Sequence, residues 1–154
     1  MATENSLSHF ICGDCTEVLK QLDTESIDLI LTSPPYADQR DYGASNTKIE
    51  ADGYAEWFRP KAEQIYRVLK NNGSFVLNIN DKVVDGFQHL FVFKLVIMLC
   101  EEIGFKLVRD YIWHNPATPP NVYSSGKYGR TKKSHEYCFW FSKSDEWTFN
   151  MDPI

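Results

Sequence analysis

The expected fold depends on one stretch, DLILTSPPY, which runs from Asp28 to Tyr36. Its first part is a nearly continuous apolar run of strand length, and this pattern predicts a strand buried on both faces. Two successive prolines cannot continue a strand, so they predict a rigid exit at its carboxyl end. Open α/β sheets bind their ligands at that end of their strands. The stretch therefore predicts both a central strand and the place of a site.

Three groups at this exit suit one kind of ligand. The Ser33 hydroxyl and the Pro34 carbonyl are hydrogen-bond acceptors, and Tyr36 supplies an aromatic ring. Acceptors beside a stacking ring suit a flat heterocycle that carries an exocyclic amine. The alternative, an ordinary proline-stiffened loop with a chance tyrosine, remains open from these residues alone.

Strand-like and helix-like stretches alternate along the rest of the chain. Strands are predicted at 9–12, 27–32, 74–80, 105–113 and 137–141, and helices at 16–22, 54–69 and 90–103. Long loops are expected at 37–52 and 116–134. The alternation predicts an α/β sheet of mostly parallel strands, and no linker composition divides the chain into two domains.

Four local signals set the expected helix boundaries. Thr16 can cap the first helix, and Pro60 either kinks the second helix or begins it. The turn Asn71-Asn72-Gly73 is expected to end that helix as a left-handed cap, and Gly104 is expected to end the third.

The composition describes a packed domain without a strong charge. The chain has 154 residues, of which 43% are hydrophobic, and its net charge is −5. This balance argues against a general polyanion-coating protein but allows a local basic groove. The longest apolar stretch, Leu90 to Cys100, is too short to span a bilayer, and no apolar leader opens the chain. We expect a soluble, cytoplasmic protein with no membrane partner.

The cysteines and histidines do not predict a metal site. Cys12 and Cys15 form a C-x-x-C pair, which can be a redox pair or half of a zinc site, but no second pair accompanies it. The adjacent His135 and Glu136 cannot lie on one face of a strand. We expect no metal and free thiols.

The stretch from Asp28 to Tyr36 resembles the catalytic motif of the S-adenosylmethionine-dependent DNA amino-methyltransferases, which methylate cytosine N4 or adenine N6. Upstream, GDCTEVL at 13–19 resembles the G-D-x-x-x-x-L segment of the permuted members, in which the catalytic half comes first. The segments at 72–78, 111–116 and 133–143 are similar to later family strands, the last as h-E-x-x-x-x-F-x-K. The resemblance spans about residues 9 to 143 in consistent order.

This resemblance implies a Rossmann-like class I methyltransferase sheet, mostly parallel but incomplete. The family's cofactor signature, Phe-x-Gly-x-Gly, does not occur in these 154 residues. Residues 1–154 are therefore expected to form a catalytic half that needs a second polypeptide carrying the signature, or a homodimer. In the family fold the missing strands would lie between the strand before Gly13 and the strand before Ser33. Two unpaired apolar strand edges are then expected.

The resemblance also implies roles for single residues. Ser33, Pro34, Pro35 and Tyr36 would be catalytic, the first two as acceptors for the target amine and Tyr36 as a stacking ring. Asp14, Cys15 and Ser33 would bind the cofactor, although Asp14 could equally cap the helix that follows. Serine at position 33 favours cytosine N4 over adenine N6.

The best candidate for DNA contact is the loop at 116–134. It concentrates the basic side chains Lys127, Arg130, Lys132 and Lys133, which could contact phosphates, and the alternative is a merely solvated loop. DNA is therefore the expected partner. Two other functions remain open: a non-catalytic DNA- or partner-binding module, and methylation of another planar amide or amine.

Overall fold

The protein is described by a computed structural model over residues 8–37, 49–116, 129, 131 and 133–150. The helices are α1 Cys15–Leu19, α2 Tyr54–Val68 and α3 Phe91–Met98, and α3 continues as a π-helical turn, Leu99–Ile103. The four strands of the main sheet are β1 Ile27–Thr32, β2 Leu69–Ile79, β5 Lys106–His114 and β6 His135–Ser142. A small hairpin pairs β3 Val83–Val84 with β4 Phe87–Gln88.

The main sheet has the strand order β1-β2-β6-β5. β1 and β2 are parallel, and β6 is antiparallel to both of its neighbours. Three of the four strands therefore run in one direction, as the sequence predicts, and β6 is the reversed one. The register sets Thr32 beside Leu77 and Asn78 beside Cys138. The carboxyl ends of β1 and β2 consequently meet the amino end of β6 at one edge of the sheet.

One face of this sheet carries the core. Alternate side chains of β2 and β6 are buried there, because successive residues of a strand point to opposite faces. Helices α2 and α3 cover this face. The largest buried side chains are Tyr54, Phe58, Phe75, Leu77, Ile79, Phe91, Leu95 and Phe141. Among the described helices, none combines the length and the apolar character needed to cross a membrane.

The opposite face of the sheet, the outer face, is largely exposed to solvent in the described part of the chain. Leu29 and Leu31 of β1 are 60% and 69% exposed, and the register puts them on the same face as Trp140 and Trp113. Trp140 is covered there by Trp147 and by Phe149, and no helix in the described part of the chain packs on this face. The expectation that β1 is buried on both faces is therefore wrong for the described residues.

The strand predicted at 9–12 does not form. Residues 8–12 belong to no strand or helix and have no ladder partners, and Phe10 is 97% exposed. A strand needs a neighbour to satisfy its backbone groups, and no strand of the described chain lies beyond β1 to supply one. The unpaired edge expected at the strand before Gly13 is therefore absent, and β1 and β5 are the two edge strands of the described sheet.

One helix cap differs from the expected one, and one alternative helix start is excluded. α1 is capped by Asp14 instead of Thr16, because a carboxylate one residue outside the helix reaches the first free amide groups. α2 begins at Tyr54 and continues through Pro60, so the alternative start at Pro60 is wrong. The ending of the third helix at Gly104 is confirmed, since this glycine is left-handed with φ 98°.

Gly73 does not cap a helix. The chain passes from α2 directly into β2 at Leu69, whose ψ of 133° is extended, and Gly73 lies within the strand. A Cβ at Gly73 would stand 2.9 Å from the Asp28 carbonyl oxygen and 2.9 Å from the Leu69 side chain. Gly73 is therefore required by the close approach of β1 to β2.

We predict that Gly73→Ala destabilises the protein by about 1–3 kcal/mol, the usual cost of forcing atoms into a packed site. Gly53→Ala is the matched control, because no atom lies within 4 Å of its added Cβ, and it should change stability by less than about 0.5 kcal/mol. Chemical denaturation of the two variants measures both values. Equal stabilities would contradict the tight β1–β2 approach.

Candidate active site

A cavity of about 580 Å³ lies where the carboxyl end of β1 meets the start of α1 and one side of α2. The predicted cofactor residues Asp14 and Cys15 line it, and so do Ser33, Pro34 and Pro35 of the predicted catalytic motif. Two sequence segments that were assigned to one site by resemblance are thus brought together. Trp57 and Lys61 of α2 add an aromatic ring and a cation to the lining.

Asp14 caps α1 from inside this cavity. Its Oδ1 accepts hydrogen bonds from the backbone N–H of Thr16 at 2.8 Å and of Glu17 at 3.4 Å. The hydrogen bond from the Thr16 backbone, more than any other contact, lowers the pKa of Asp14. The capping alternative is therefore confirmed. The Thr16 side chain also hydrogen-bonds the Asp14 carboxylate and lowers its pKa further.

The two carbonyls of the proline exit differ in their partners among the described residues. The hydroxyl of Tyr54, a fully buried side chain of α2, donates to the Pro35 carbonyl at 2.7 Å and so anchors the exit. The carbonyl of Pro34 accepts no hydrogen bond from the described residues. Ser33 is exposed, and its Oγ lies 3.3 Å from the Tyr36 hydroxyl. Ser33, which is exposed, and Pro34, which is buried, both line the cavity and each carries an acceptor oxygen.

Tyr36 is held by residues whose role the sequence did not indicate. Its hydroxyl lies 2.7 Å from Glu136 Oε2 and 3.2 Å from Asn78 Oδ1. Glu136 stands at the start of β6, and Asn78 near the end of β2. The only available signals were the position of Asn78 at the carboxyl end of a strand and the membership of Glu136 in the late motif.

The predicted phosphate-binding residues are only partly described. Lys127, Arg130 and Lys132 lie outside the described residues. The ammonium of Lys133 pairs with Asp81 at 2.6 Å, binds Asn80 Oδ1 at 2.6 Å and is 24% exposed. Because its charge is matched by a buried carboxylate, Lys133 is positioned by the end of β2, and its contact with DNA remains a prediction.

Lys143, the last residue of the late motif, has a structural position. Its ammonium donates to the Leu69 carbonyl at 2.9 Å, pairs with Glu25 at 3.3 Å and lies over the Tyr66 ring, while its side chain is 7% exposed. It therefore joins the end of β6 to the junction of α2 and β2. Within the described ranges no group of three metal-ligating side chains occurs, and all four cysteines are free.

Comparison with known proteins agrees with this geometry. A family model described as DNA methylase (N6_N4_Mtase) matches residues 27–154. The Type II methyltransferase M.PvuII of Proteus hauseri is 34% identical over 141 residues, which cover 88% of this chain and 40% of the relative. M.BglII of Bacillus subtilis is 29% identical over 143 residues, covering 92% of this chain and 37% of the relative.

Solved structures share the fold. The PvuII DNA methyltransferase, described as cytosine-N4-specific, matches with a TM-score of 0.74 and 33% identity over 87% of this chain and 48% of that one. The M1.HpyAVI–SAM complex matches with a TM-score of 0.54 at 20% identity, over 92% of this chain and 58% of that one, which shows the fold alone.

A partly parallel sheet with a proline exit beside an aromatic ring defines an α/β methyltransferase fold. The chain belongs to the DNA methylase family, and the resemblance read from the sequence is confirmed. It spans 40% of the length of M.PvuII and 37% of that of M.BglII.

We predict that α1 loses its cap as the pH falls. Because the folded pKa of Asp14 lies below its unfolded value, the contribution of this cap is complete above about pH 5 and is lost below about pH 4. Amide exchange of Thr16, measured by NMR across this range and corrected for intrinsic rates, should show protection disappear. Asp14→Asn is the control, since asparagine caps without a charge and should keep its protection at low pH.

Proposed function

We propose that this chain is the catalytic half of a site-specific DNA amino-methyltransferase that uses S-adenosylmethionine and acts on a base flipped from the duplex. One observation carries the proposal: Asp14, Cys15 and the Ser33–Pro35 exit, which carries the acceptors Ser33 Oγ and the Pro34 carbonyl, line a single cavity. Ser33, and the likeness to a structure described as cytosine-N4-specific, favour cytosine N4 over adenine N6.

The two acceptors address the central difficulty of amine methylation. The lone pair of an exocyclic amine is delocalised into the ring, so the amine is a poor nucleophile. Hydrogen bonds from this amine to Ser33 Oγ and to the Pro34 carbonyl draw it toward a tetrahedral nitrogen and localise the lone pair. Positioning then supplies much of the rate, because the exit is rigid and Tyr54 anchors it. The ring of Tyr36 would stack on the flipped base.

The described residues fit part of the cofactor. S-adenosylmethionine, when bound, supplies an electrophilic methyl group. Asp14, Cys15 and Ser33, which line the cavity, would hold it, and the carboxylate of Asp14 suits the hydroxyl or amino donors of a nucleoside. No Gly-x-Gly loop occurs in the sequence to receive the remainder of the cofactor. The cavity is therefore one wall of a cofactor site.

We infer that a second polypeptide carrying the F-x-G-x-G half completes this wall. The unpaired edge of β1 and the exposed Leu29 and Leu31 are both apolar. Parallel sheets are covered on both faces, and an unpaired apolar edge invites another strand. A second copy of this chain is the other candidate, because it could cover the same apolar surface without supplying the glycine loop.

We further propose that the basic residues Lys127, Arg130, Lys132 and Lys133 contact DNA phosphates. The support is their concentration in one loop of an acidic chain. The second candidate function is a non-catalytic module derived from a methyltransferase, which the missing Gly-x-Gly favours. Cofactor binding in the presence of an F-x-G-x-G partner distinguishes the two.

Methyl transfer by the complex of this chain with such a partner tests the proposal. Ser33→Ala should lower the transfer rate by about 10²- to 10³-fold, the range for one transition-state hydrogen bond. Tyr36→Ala should weaken stacking of the base by about 1–3 kcal/mol. Ser26→Ala is the control, because its hydroxyl bonds the Asp23 carbonyl before β1 and lies away from the exit. Undiminished transfer by both site variants would reject this site.

A further inference from the structure

A chain of hydrogen bonds leads from the proline exit across the sheet to β6. Ser33 Oγ lies 3.3 Å from Tyr36 Oη, and Tyr36 Oη lies 2.7 Å from Glu136 Oε2. Tyr36 and Glu136 are 100 residues apart in sequence, so their contact depends on the sheet. It is the shorter of the two hydrogen bonds, as expected for a hydroxyl that donates to a carboxylate.

The chemistry of the partners fixes the direction of these hydrogen bonds. Glu136 Oε2 and Asn78 Oδ1 both accept, and the single hydroxyl proton of Tyr36 points to the carboxylate, which is charged and the nearer of the two at 2.7 Å. Asn78 Oδ1, at 3.2 Å, is a second acceptor for the same proton, and the Asn78 amide is oriented by the hydrogen bond from its Nδ2 to the Tyr137 carbonyl at 3.3 Å. With its proton given to Glu136, the Tyr36 oxygen can only accept from Ser33.

The Ser33 hydroxyl can then act toward a ligand only as a hydrogen-bond acceptor. Its only proton is directed at Tyr36, so its lone pairs remain for a ligand. A serine that instead donated to an exocyclic amine would occupy the nitrogen lone pair that must form the new bond. The direction of these hydrogen bonds therefore decides whether the Ser33 hydroxyl assists or inhibits the attack of an amine.

We propose that Glu136 is a positioning residue that holds Tyr36 and, through it, makes the Ser33 hydroxyl an acceptor for the target amine. This inference rests on the proposed function for the identity of the amine. It assigns a role to the glutamate of the late motif, which neither touches the cavity nor carries the chemistry itself.

A double-mutant cycle on unfolding tests the contact without any activity. In the wild type, Glu136→Ala should lower the midpoint of thermal unfolding of the chain, and in a Tyr36→Phe background the same change should lower it by less than half as much. Phenylalanine keeps the ring and removes only the hydroxyl. Equal shifts in the two backgrounds would overturn the proposal.

The same variants, assayed for methyl transfer with the F-x-G-x-G partner, test the role. Glu136→Ala should lower kcat by about 10- to 100-fold with a smaller change in KM, as misplaced catalytic groups do. Glu136→Gln should recover most of kcat, since its amide oxygen can accept the Tyr36 proton. In the Tyr36→Phe background, Glu136→Ala should cost nothing further, and a loss equal to that in the wild type would overturn the proposal.

A control variant is available, and failure of the positioning role can be distinguished from failure of the proposed function. Glu146→Ala removes an exposed carboxylate whose side chain makes no hydrogen bond in the described chain, and it should leave both readouts unchanged. Coupling in unfolding together with no transfer by the wild-type complex would count against the proposed function while supporting the contact. Absence of coupling in unfolding would count against the positioning role, whatever the activity.

Discussion

The parallel pairing of β1 with β2 is the constraint on which the candidate site depends. Gly73 lets the two strands approach closely, and the register then fixes Thr32 beside Leu77. The chain leaves β1 at Ser33, so the proline exit must emerge next to Asn78. Because β6 runs antiparallel to β2, Glu136 enters at the same edge. A register slip of one residue would turn these side chains to the other face and disperse the site.

In the described part of the chain only the inner face of the sheet is covered by other elements. This asymmetry is the reason for proposing a partner. Aromatic side chains of α2, α3, β2 and β6 fill the inner face, while Leu29 and Leu31 on the outer face are exposed to solvent. The same β1 strand carries the exit, the unpaired edge and the exposed leucines. A partner that covers β1 would therefore also complete the proposed cofactor cavity, because Ser33 and Asp14 line that cavity next to β1.

The sequence predicts most of the elements and much of the site, because apolar runs and prolines act locally. It places β1, the proline exit and Gly104 correctly. It fails where a distant partner decides the outcome. Residues 9–12 are strand-like but have no neighbour to pair with, and Gly73 serves the contact with Asp28 instead of a helix cap. Glu136 acts on Tyr36 across the sheet, and no local pattern encodes that contact.

The central claim is that this chain forms one wall of a cofactor site and that a glycine-loop partner forms the other. Calorimetric titration of S-adenosylmethionine into the purified chain, with its mass determined by sedimentation in the same buffer, tests this claim most directly. The account predicts negligible heat for the chain alone, self-association through the exposed β1 surface, and binding once an F-x-G-x-G partner is added. A monomer that binds the cofactor at micromolar concentration without any partner would contradict it.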